Sequence, residues 1–210
     1  MQIIEIYSHL NGEEYLIVHH PELYAEIRRI IGLIDATGCR TKKSREKTMP
    51  GKMILAPKKL NACFKSEFGK EGWGESVYRY CVTTDRALMQ QMLGMEFSEQ
   101  KEFMVSRGIE KPLVSYKQTD FVKDKVAVEV QFGEHAIDAF GILAKHLLFY
   151  SGGIINVGVE ILPMKAMLRD PAGGRQMSTG IAYFEGEVYN ILRHGRSSPP
   201  VPLLVIGVAP

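Results

Sequence analysis

The feature that most constrains this fold is the regular alternation of strand and helix patterns in the second half of the chain. Two apolar runs, at residues 157–161 and 203–207, have the length and composition of strands that are buried on both faces of a sheet. Strand patterns occupy residues 115–121, 125–132, 154–162 and 201–208, and helical patterns at 137–150 and 181–193 separate the last three. This alternation predicts an α/β fold with a mixed sheet flanked by helices.

The first half of the chain continues this pattern less regularly. It predicts strands at residues 1–7 and 76–82 and helices at 21–34 and 57–68. Residues 84–108 are helical in pattern but polar and rich in methionine, which favours a small helical subdomain or a dimerisation element. A length of 210 residues with 45% hydrophobic content provides one sizeable core. We therefore expect a single domain over residues 1–210.

The compartment is indicated by what the chain lacks. The first residues show no basic region followed by a long apolar run, and no stretch approaches the ~20 apolar residues of a membrane span. We expect a soluble, cytoplasmic protein without a membrane partner. Cys39, Cys63 and Cys81 are odd in number and lack C-x-x-C spacing, so they are expected to be buried free thiols rather than disulfide partners or zinc ligands.

Basic residues are concentrated in one segment, although the net charge is only +2. Residues 40–59 contain eight basic side chains against the single acid Glu46. Such a segment can contact phosphates, and it can equally be an ordinary solvated loop and helix face. The side chains expected to contact phosphates are Lys42, Lys43, Arg45 and Lys47.

The strand predicted at 125–132 carries the most informative polar residues. Its sequence alternates strictly, so Glu129 and Gln131 share one face, with Cα atoms ~6.6 Å apart. A carboxylate among large apolar residues needs a cation, a basic partner or an open strand end. Asp120 lies nine residues upstream in another strand pattern, and residues 123–125 can form the turn that brings it beside Glu129.

Two carboxylates on adjacent strands can bind Mg²⁺, which prefers a few carboxylates and retains several waters. Such a site would favour phosphodiester hydrolysis, because the ion polarises the phosphoryl oxygen and activates water. The spacing D-x8-E-x-Q also occurs by chance, and a hairpin with a surface salt bridge is the alternative. The pattern alone leaves both interpretations open.

Five collinear segments carry a family resemblance. They are I-Y-S-H-L-N-G (6–12), C-R-T-K (39–42), Q-T-D-F-V-K-D-K-V-A-V-E-V-Q-F-G (118–133), V-G-V-E-I-L-P-M-K (157–165) and Y-F-E-G-E-V-Y-N (183–190). Together they resemble the BglII/BstYI-like branch of the type II restriction endonucleases, within the PD-(D/E)XK nuclease superfamily. The resemblance implies a homodimer that clamps double-stranded DNA, reads a palindrome with a GATC core (RGATCY-like) and leaves 5′ extensions. It also implies a companion DNA methyltransferase, with no stable contact predicted.

The resemblance also assigns roles in the active site. It makes Asp120 and Glu129 the metal-binding acids, with the carbonyl of Val130 as a backbone ligand. Gln131 takes the position that most of the superfamily fills with Lys, and it can orient the attacking water but cannot act as a strong base. The missing charge could come from Lys123 or Lys125. A further polar active-site residue would be Glu75 or Ser76.

The chain departs from these relatives where bases would be read. Beyond the acidic strand stands Glu134, at a position where the relatives carry Lys or Asn, and His135 follows it. A carboxylate accepts hydrogen bonds and would favour an amino group such as cytosine N4, although Glu134 could simply cap a helix. Ser178 and Thr179 follow a flexible loop and could reach a base edge or cap the helix from Ile181.

Two other functions stay open on the sequence alone. One is a non-catalytic DNA-binding protein with a nuclease-like fold, which would bind DNA in EDTA without cutting it. The other is a structure-directed repair nuclease, which would prefer nicked, branched or damaged DNA to a palindrome. The intact acids argue against the first, and the ends of the cleavage products would separate the second from a restriction endonuclease.

Overall fold

The structure, a computed structural model, describes residues 1–43, 51, 53–133, 136–168, 181–195 and 197–210, with only the backbone of 136–143. The strands are β1 (Gln2–His9), β2 (Lys42–Lys43), β3 (Met53–Ile54), β4 (Gly74–Val82), β5 (Leu113–Lys123), β6 (Val126–Val130), β7 (Val157–Pro163) and β8 (Leu203–Ala209). The helices are α1 (Gly12–His19), α2 (Pro21–Leu33), α3 (Pro57–Lys70), α4 (Arg86–Met92), α5 (Phe97–Ser106), α6 (Ala136–Ser151) and α7 (Phe184–His194).

Six of the strands form one mixed sheet in the order β1-β8-β7-β6-β5-β4. The three strands β6, β7 and β8 run parallel, whereas β1, β5 and β4 are antiparallel to their neighbours. Every residue of β7 is buried, as are all but the last of β8. The prediction of an α/β mixed sheet, with its two apolar runs as interior strands, is confirmed.

Helices cover both faces of the sheet. On one face α2 and α3 place apolar residues at helical spacing against alternate residues of β6, and these residues form the largest buried cluster. Phe64 of α3 stacks on Phe132, two residues beyond β6, and Phe68 stacks on Phe121 of β5. The opposite face is covered by α6 and α7 through smaller clusters around Phe149 and Ile191. The acidic strand is thus enclosed between two helical layers.

The segment predicted as one helical stretch at 84–108 contains two helices. Gly94 separates them with a left-handed φ of 84°. Asp85 caps α4 by accepting hydrogen bonds from two backbone amides, and Glu96 and Glu99 form a capping box at α5. The helices pack through Met92 and Met104 onto β4 in a small cluster of their own. A role of this segment in dimerisation stays a prediction.

Helix α1 was not predicted from the sequence because its apolar residues do not follow one helical face. Of its eight residues only Gly12 and Leu16 are buried. The helix begins after Leu10 and Asn11, which both adopt positive φ. The turn places Gly12 directly against the backbone of Leu203 in β8, where only a residue without a side chain fits.

The three cysteines are free thiols. Cys39 and Cys81 are buried, and Cys63 is partly buried. In the part of the chain that the structure describes, no helix has the length and apolar character needed to cross a membrane.

Helix α7 turns a carboxyl group, that of Glu187, toward the protein interior, and this burial predicts a pH dependence of stability. Glu187 is only 2% exposed, and burial raises its pKa to about 7. The folded state therefore favours the neutral acid. The contribution of Glu187 to the free energy of unfolding is complete below its ordinary pKa near 4.5, and this contribution is lost as the pH rises through about 7.

Replacing Glu187 with Gln should remove this loss. We expect Glu187→Gln to match the original protein at pH 5 and to exceed its free energy of unfolding by roughly 2 to 3 kcal/mol at pH 8. Urea denaturation at the two pH values measures the difference. Glu102→Gln, on the exposed side of α5, is the control. An equal effect of Glu187→Gln at both pH values would contradict the prediction.

Candidate active site

The β5–β6 hairpin brings together the two carboxylates predicted from the sequence. Asp124 and Lys125 form its turn, with φ of 45° and 67°, the left-handed values that a two-residue hairpin turn requires. Phe121 pairs with Val128, and continuation of this register places Asp120 opposite Glu129. The backbone amide of Asp120 lies 3.3 Å from Oε1 of Glu129, and that of Val130 lies 3.3 Å from Oδ2 of Asp120. The two acids thus face one another across the strands.

Glu129 is almost completely buried, with 3% of its surface exposed. Burial raises the pKa of its carboxyl group to about 7, nearby Asp120 adds to this rise, and Lys145 opposes it. The Lys145 ammonium lies 2.8 Å from Oε2 of Glu129. A buried carboxylate is therefore compensated by a cation from helix α6.

Gln131 lies two residues beyond Glu129 and is 1% exposed. Its backbone amide donates to the carbonyl of Ile161 at 3.0 Å. Both atoms of its side-chain amide are buried, and neither finds a hydrogen-bond partner among the described residues. Buried polar atoms of this kind usually bind water, an ion or a ligand, so the Gln131 amide is available to a molecule that enters the site.

The suggestion that Lys123 or Lys125 supplies charge to the site is wrong. Lys123 pairs with Glu26 at 2.9 Å and donates to the carbonyl of Glu71. Lys125 donates to the carbonyl of Gly153 at 2.8 Å. Because both lie at the turn end of the hairpin, the distance along the strands separates them from Glu129. The cation comes from α6 instead, and no spacing in the sequence predicted it.

A cleft of about 290 Å³ opens beside Asp120. Helix α3 supplies one wall with polar side chains at helical spacing, a feature that was not predicted from the sequence. Lys65 pairs there with Glu75 at 2.5 Å, and Gln118 donates to the other oxygen of Glu75. The residues that line the cleft are Lys58, Asn61, Ala62, Lys65, Glu75, Asp120, Phe121 and Val130. The sequence left Glu75 and Ser76 as candidates for a further polar residue of the site, and Glu75 is the one that borders the cleft.

The predicted DNA-contacting residues are only partly described. Lys42 and Lys43 form the short strand β2, are exposed, and pair with Ile54 and Met53 of β3. The other candidates lie outside the described residues: Arg45, Lys47, Glu134, His135, Ser178 and Thr179. Among the predicted DNA-contacting residues, the structure therefore describes only this exposed pair of lysines, near the start of the basic segment at residues 40–59.

The polar face of β6 continues onto β7. Glu160 is in register with Glu129 and is buried, and the ring of His146 lies 3.7 Å from it. Burial lowers the pKa of His146 to about 3, with Lys145 adding to the effect, so the imidazole is neutral. Gly158 makes room for this ring, because a Cβ atom there would lie 2.5 Å from Nδ1 of His146. The histidine is packed as part of the scaffold beneath the acids.

The donor set around the hairpin fits a hard divalent cation. Asp120 and Glu129 offer carboxylate oxygens, and the carbonyl of Val130 is adjacent to them. Within the described ranges, no three His, Cys, Asp or Glu side chains are grouped to hold a metal by themselves. A bound ion would therefore keep positions for water and substrate, as Mg²⁺ does in phosphate-processing sites. The amide of Gln131, which has no partner within the described part of the chain, lies on the same strand face as Glu129.

Comparisons with known proteins bear on the family and the fold of the chain. A family model described as "Restriction endonuclease BglII/BglIII" matches residues 4–208. Among solved structures, the chain is similar to one described as "Crystal structure of restriction endonuclease BGLII complexed with DNA 16-mer", with a TM-score of 0.65 and 18% identity. The match covers 99% of this chain and 76% of the other. No curated protein matches the chain significantly.

Proposed function

Because the chain belongs to the BglII/BglIII family of restriction endonucleases, we propose that it hydrolyses double-stranded DNA at a GATC-centred palindrome with Mg²⁺ as cofactor. The observation that carries the proposal is the pairing of Asp120 with the buried Glu129, beside a Gln131 amide that has no hydrogen-bond partner among the described residues. A cleft with two lysines adjoins this pair. Carboxylates, a water-orienting amide and cations are the groups that phosphodiester hydrolysis requires.

Each residue of the site has a separate task in this proposal. Asp120, Glu129 and the carbonyl of Val130 would hold the ion, which would polarise the phosphate and offset charge on the leaving oxygen. Gln131 orients the attacking water through its amide. An amide cannot accept the proton as a base, so solvent or a phosphate oxygen takes it. Lys58 and Lys65, on the cleft wall, are placed to attract the phosphate.

The direct test is incubation of the purified protein with unmethylated plasmid and Mg²⁺. Discrete fragments whose ends all share one GATC-centred sequence and a 5′ extension are expected. A smear, or cleavage that follows nicks and branches, would contradict the proposal and favour a repair nuclease. DNA binding in EDTA without any cleavage on adding Mg²⁺ would favour the non-catalytic alternative.

The finer assignments rest on the sequence resemblance. We propose that the chain resembles BstYI within the family and acts as a homodimer, with a companion methyltransferase protecting the host sequence. We further propose that Glu134, His135, Ser178 and Thr179 contact bases, and that Glu134 biases the outer base pair toward an exposed amino group. Sequencing the cleavage ends reports these outer positions directly.

The basic segment should contribute to DNA affinity without reading sequence. Lys42 and Lys43 are exposed on β2, and each phosphate that they no longer neutralise should flatten the slope of log affinity against log salt by about 0.9. We expect Lys42→Ala/Lys43→Ala to weaken binding equally for specific and non-specific duplexes and to lower this slope. Fluorescence anisotropy over a salt series measures it.

Lysines elsewhere on the surface provide the matched control. Lys101 and Lys111 are exposed near the α4–α5 segment, and Lys101→Ala/Lys111→Ala removes the same charge. This pair should leave the salt slope unchanged. An unchanged slope in the Lys42→Ala/Lys43→Ala variant would remove these residues from the DNA-binding surface.

A further inference from the structure

Lys145 of α6 contacts the acidic strand directly. Its ammonium lies 2.8 Å from Oε2 of Glu129, with 18% of the lysine side chain and 4% of the glutamate side chain exposed. A pair this far removed from water holds its geometry firmly, because leaving either charge alone there is costly. The contact therefore fixes how the glutamate is oriented.

The two oxygens of Glu129 are engaged differently. Oε2 contacts Lys145, whereas Oε1 is turned toward Asp120 and lies 3.3 Å from that residue's backbone amide. Oε1 is thus the oxygen on the side of Asp120, and it is the one that would share a cation with the carboxylate of that residue. Gln131 lies on the same face of the strand, but its side chain is neutral and cannot pair with a Glu129 oxygen as the Lys145 ammonium does.

We propose that Lys145 is a positioning residue that supplies, from helix α6, the positive charge that Gln131 does not supply from the strand. It occupies one oxygen of Glu129, so that the carboxylate offers a single oxygen to the divalent cation. This inference rests on the proposed function, because it concerns how the same site is tuned for its metal.

Loss of Lys145 should change metal binding and cleavage in opposite directions. At a pH well above 7, where Glu129 is ionised with or without its partner, loss of the ammonium frees both oxygens and leaves a greater local negative charge, so Mg²⁺ should bind more tightly. A carboxylate that uses both oxygens occupies an additional position of an ion that prefers six ligands. Fewer positions then remain for the substrate, and cleavage should slow.

A purely structural role for Lys145 predicts a different result. If the ammonium only compensated a buried charge, its removal would loosen the site as a whole. Metal affinity and cleavage would then fall together, in proportion to the loss of folded protein. The direction in which metal affinity changes therefore separates positioning from simple stabilisation.

The experiment compares Lys145→Met and Lys145→Arg with Lys125→Met, whose ammonium contacts the carbonyl of Gly153 away from the site. Mg²⁺ binding is measured from the rise of Tm with ion concentration in the absence of DNA, and cleavage from single-turnover rates at saturating Mg²⁺, both at a pH well above 7 so that Glu129 is ionised in every variant. We expect Lys145→Met to bind Mg²⁺ several-fold more tightly and to cleave at least about a hundredfold more slowly. Lys145→Arg and Lys125→Met should stay within a few-fold of the original protein.

A second variant keeps the test decisive if Lys145→Met folds poorly. Adding Gln131→Lys to Lys145→Met returns a cation to the strand face that carries Glu129. We expect this double variant to cleave at least about tenfold faster than Lys145→Met. Its Tm should rise at the same Mg²⁺ concentration as that of the original protein. Weaker Mg²⁺ binding in Lys145→Met, or unchanged cleavage, would overturn the role of Lys145. Absence of cleavage by the original protein would instead overturn the proposed function, while the Mg²⁺ midpoints still test Lys145.

Discussion

Replacing Glu129 with Gln is expected to abolish DNA cleavage while leaving DNA binding nearly intact. The amide keeps the size of the side chain but removes the negative charge that would hold the cation. We expect the single-turnover rate on a cognate duplex to fall by at least about a thousandfold, which corresponds to roughly 4 kcal/mol in the activation barrier. Affinity for the same duplex, measured by anisotropy in EDTA, should change by only a few-fold.

The burial of Glu129 and its contact with Lys145 determine what this substitution does to stability. Burial raises the pKa of the carboxyl group to about 7, so the protein already holds a neutral side chain there part of the time near neutral pH. Glu129→Gln nevertheless deprives the Lys145 ammonium of its charged partner, so the free energy of unfolding should fall. The loss should be smaller than the roughly 3 to 5 kcal/mol of a broken buried ion pair, because the amide oxygen can still accept a hydrogen bond from the ammonium. Glu67→Gln removes a carboxylate that pairs with Lys70 on α3, and it is the control for charge. Retention of more than a tenth of the cleavage rate by Glu129→Gln would exclude this residue as an essential metal ligand.

Replacing Gly12 with Ala should destabilise the protein strongly, although the change adds only one methyl group. A Cβ at Gly12 would lie 2.3 Å from both the carbonyl carbon and the oxygen of Leu203. Because these are backbone atoms of a buried strand, no side-chain rotation can relieve the overlap. We expect a loss of about 3 kcal/mol or more in the free energy of unfolding, seen as a lower urea midpoint.

A second glycine provides the matched comparison. Gly32, near the end of α2, has no atom within 4 Å of where its Cβ would stand. Gly32→Ala should be neutral or stabilising, by up to about 1 kcal/mol, because alanine has the higher helix propensity. If Gly12→Ala tolerated urea as well as Gly32→Ala does, the close packing of α1 on β8 would be refuted.

The sheet and the pairing of the acids were predictable from the sequence because both depend on local patterns. Strict alternation assigns Glu129 and Gln131 to one face, and a short turn between two strands sets Asp120 opposite Glu129. Helix α1 escaped prediction because its apolar residues follow no single face.

The cations of the site were not predictable, because they arrive through tertiary packing. Lys145 and Glu129 lie 16 positions apart and on different elements, and the contact depends on how α6 lies across the sheet. The polar wall of the cleft depends in the same way on the rotation of α3 about its axis. The lysines proposed from sequence proximity, Lys123 and Lys125, belong to other contacts.

Strand β6 is held in register from both sides, by the tight turn to β5 and by its parallel pairing with β7. Insertions or deletions in the hairpin should therefore affect the positions of Asp120, on β5, and Glu129, on β6, to different extents. An extra residue in the turn cannot slide β6 without breaking the ladder to β7, so the shift must be taken up by β5 together with its partner β4 at the edge of the sheet. Length changes in the hairpin should thus displace Asp120 and leave Glu129 in place, which makes the upstream acid the more fragile half of the site during evolution or engineering.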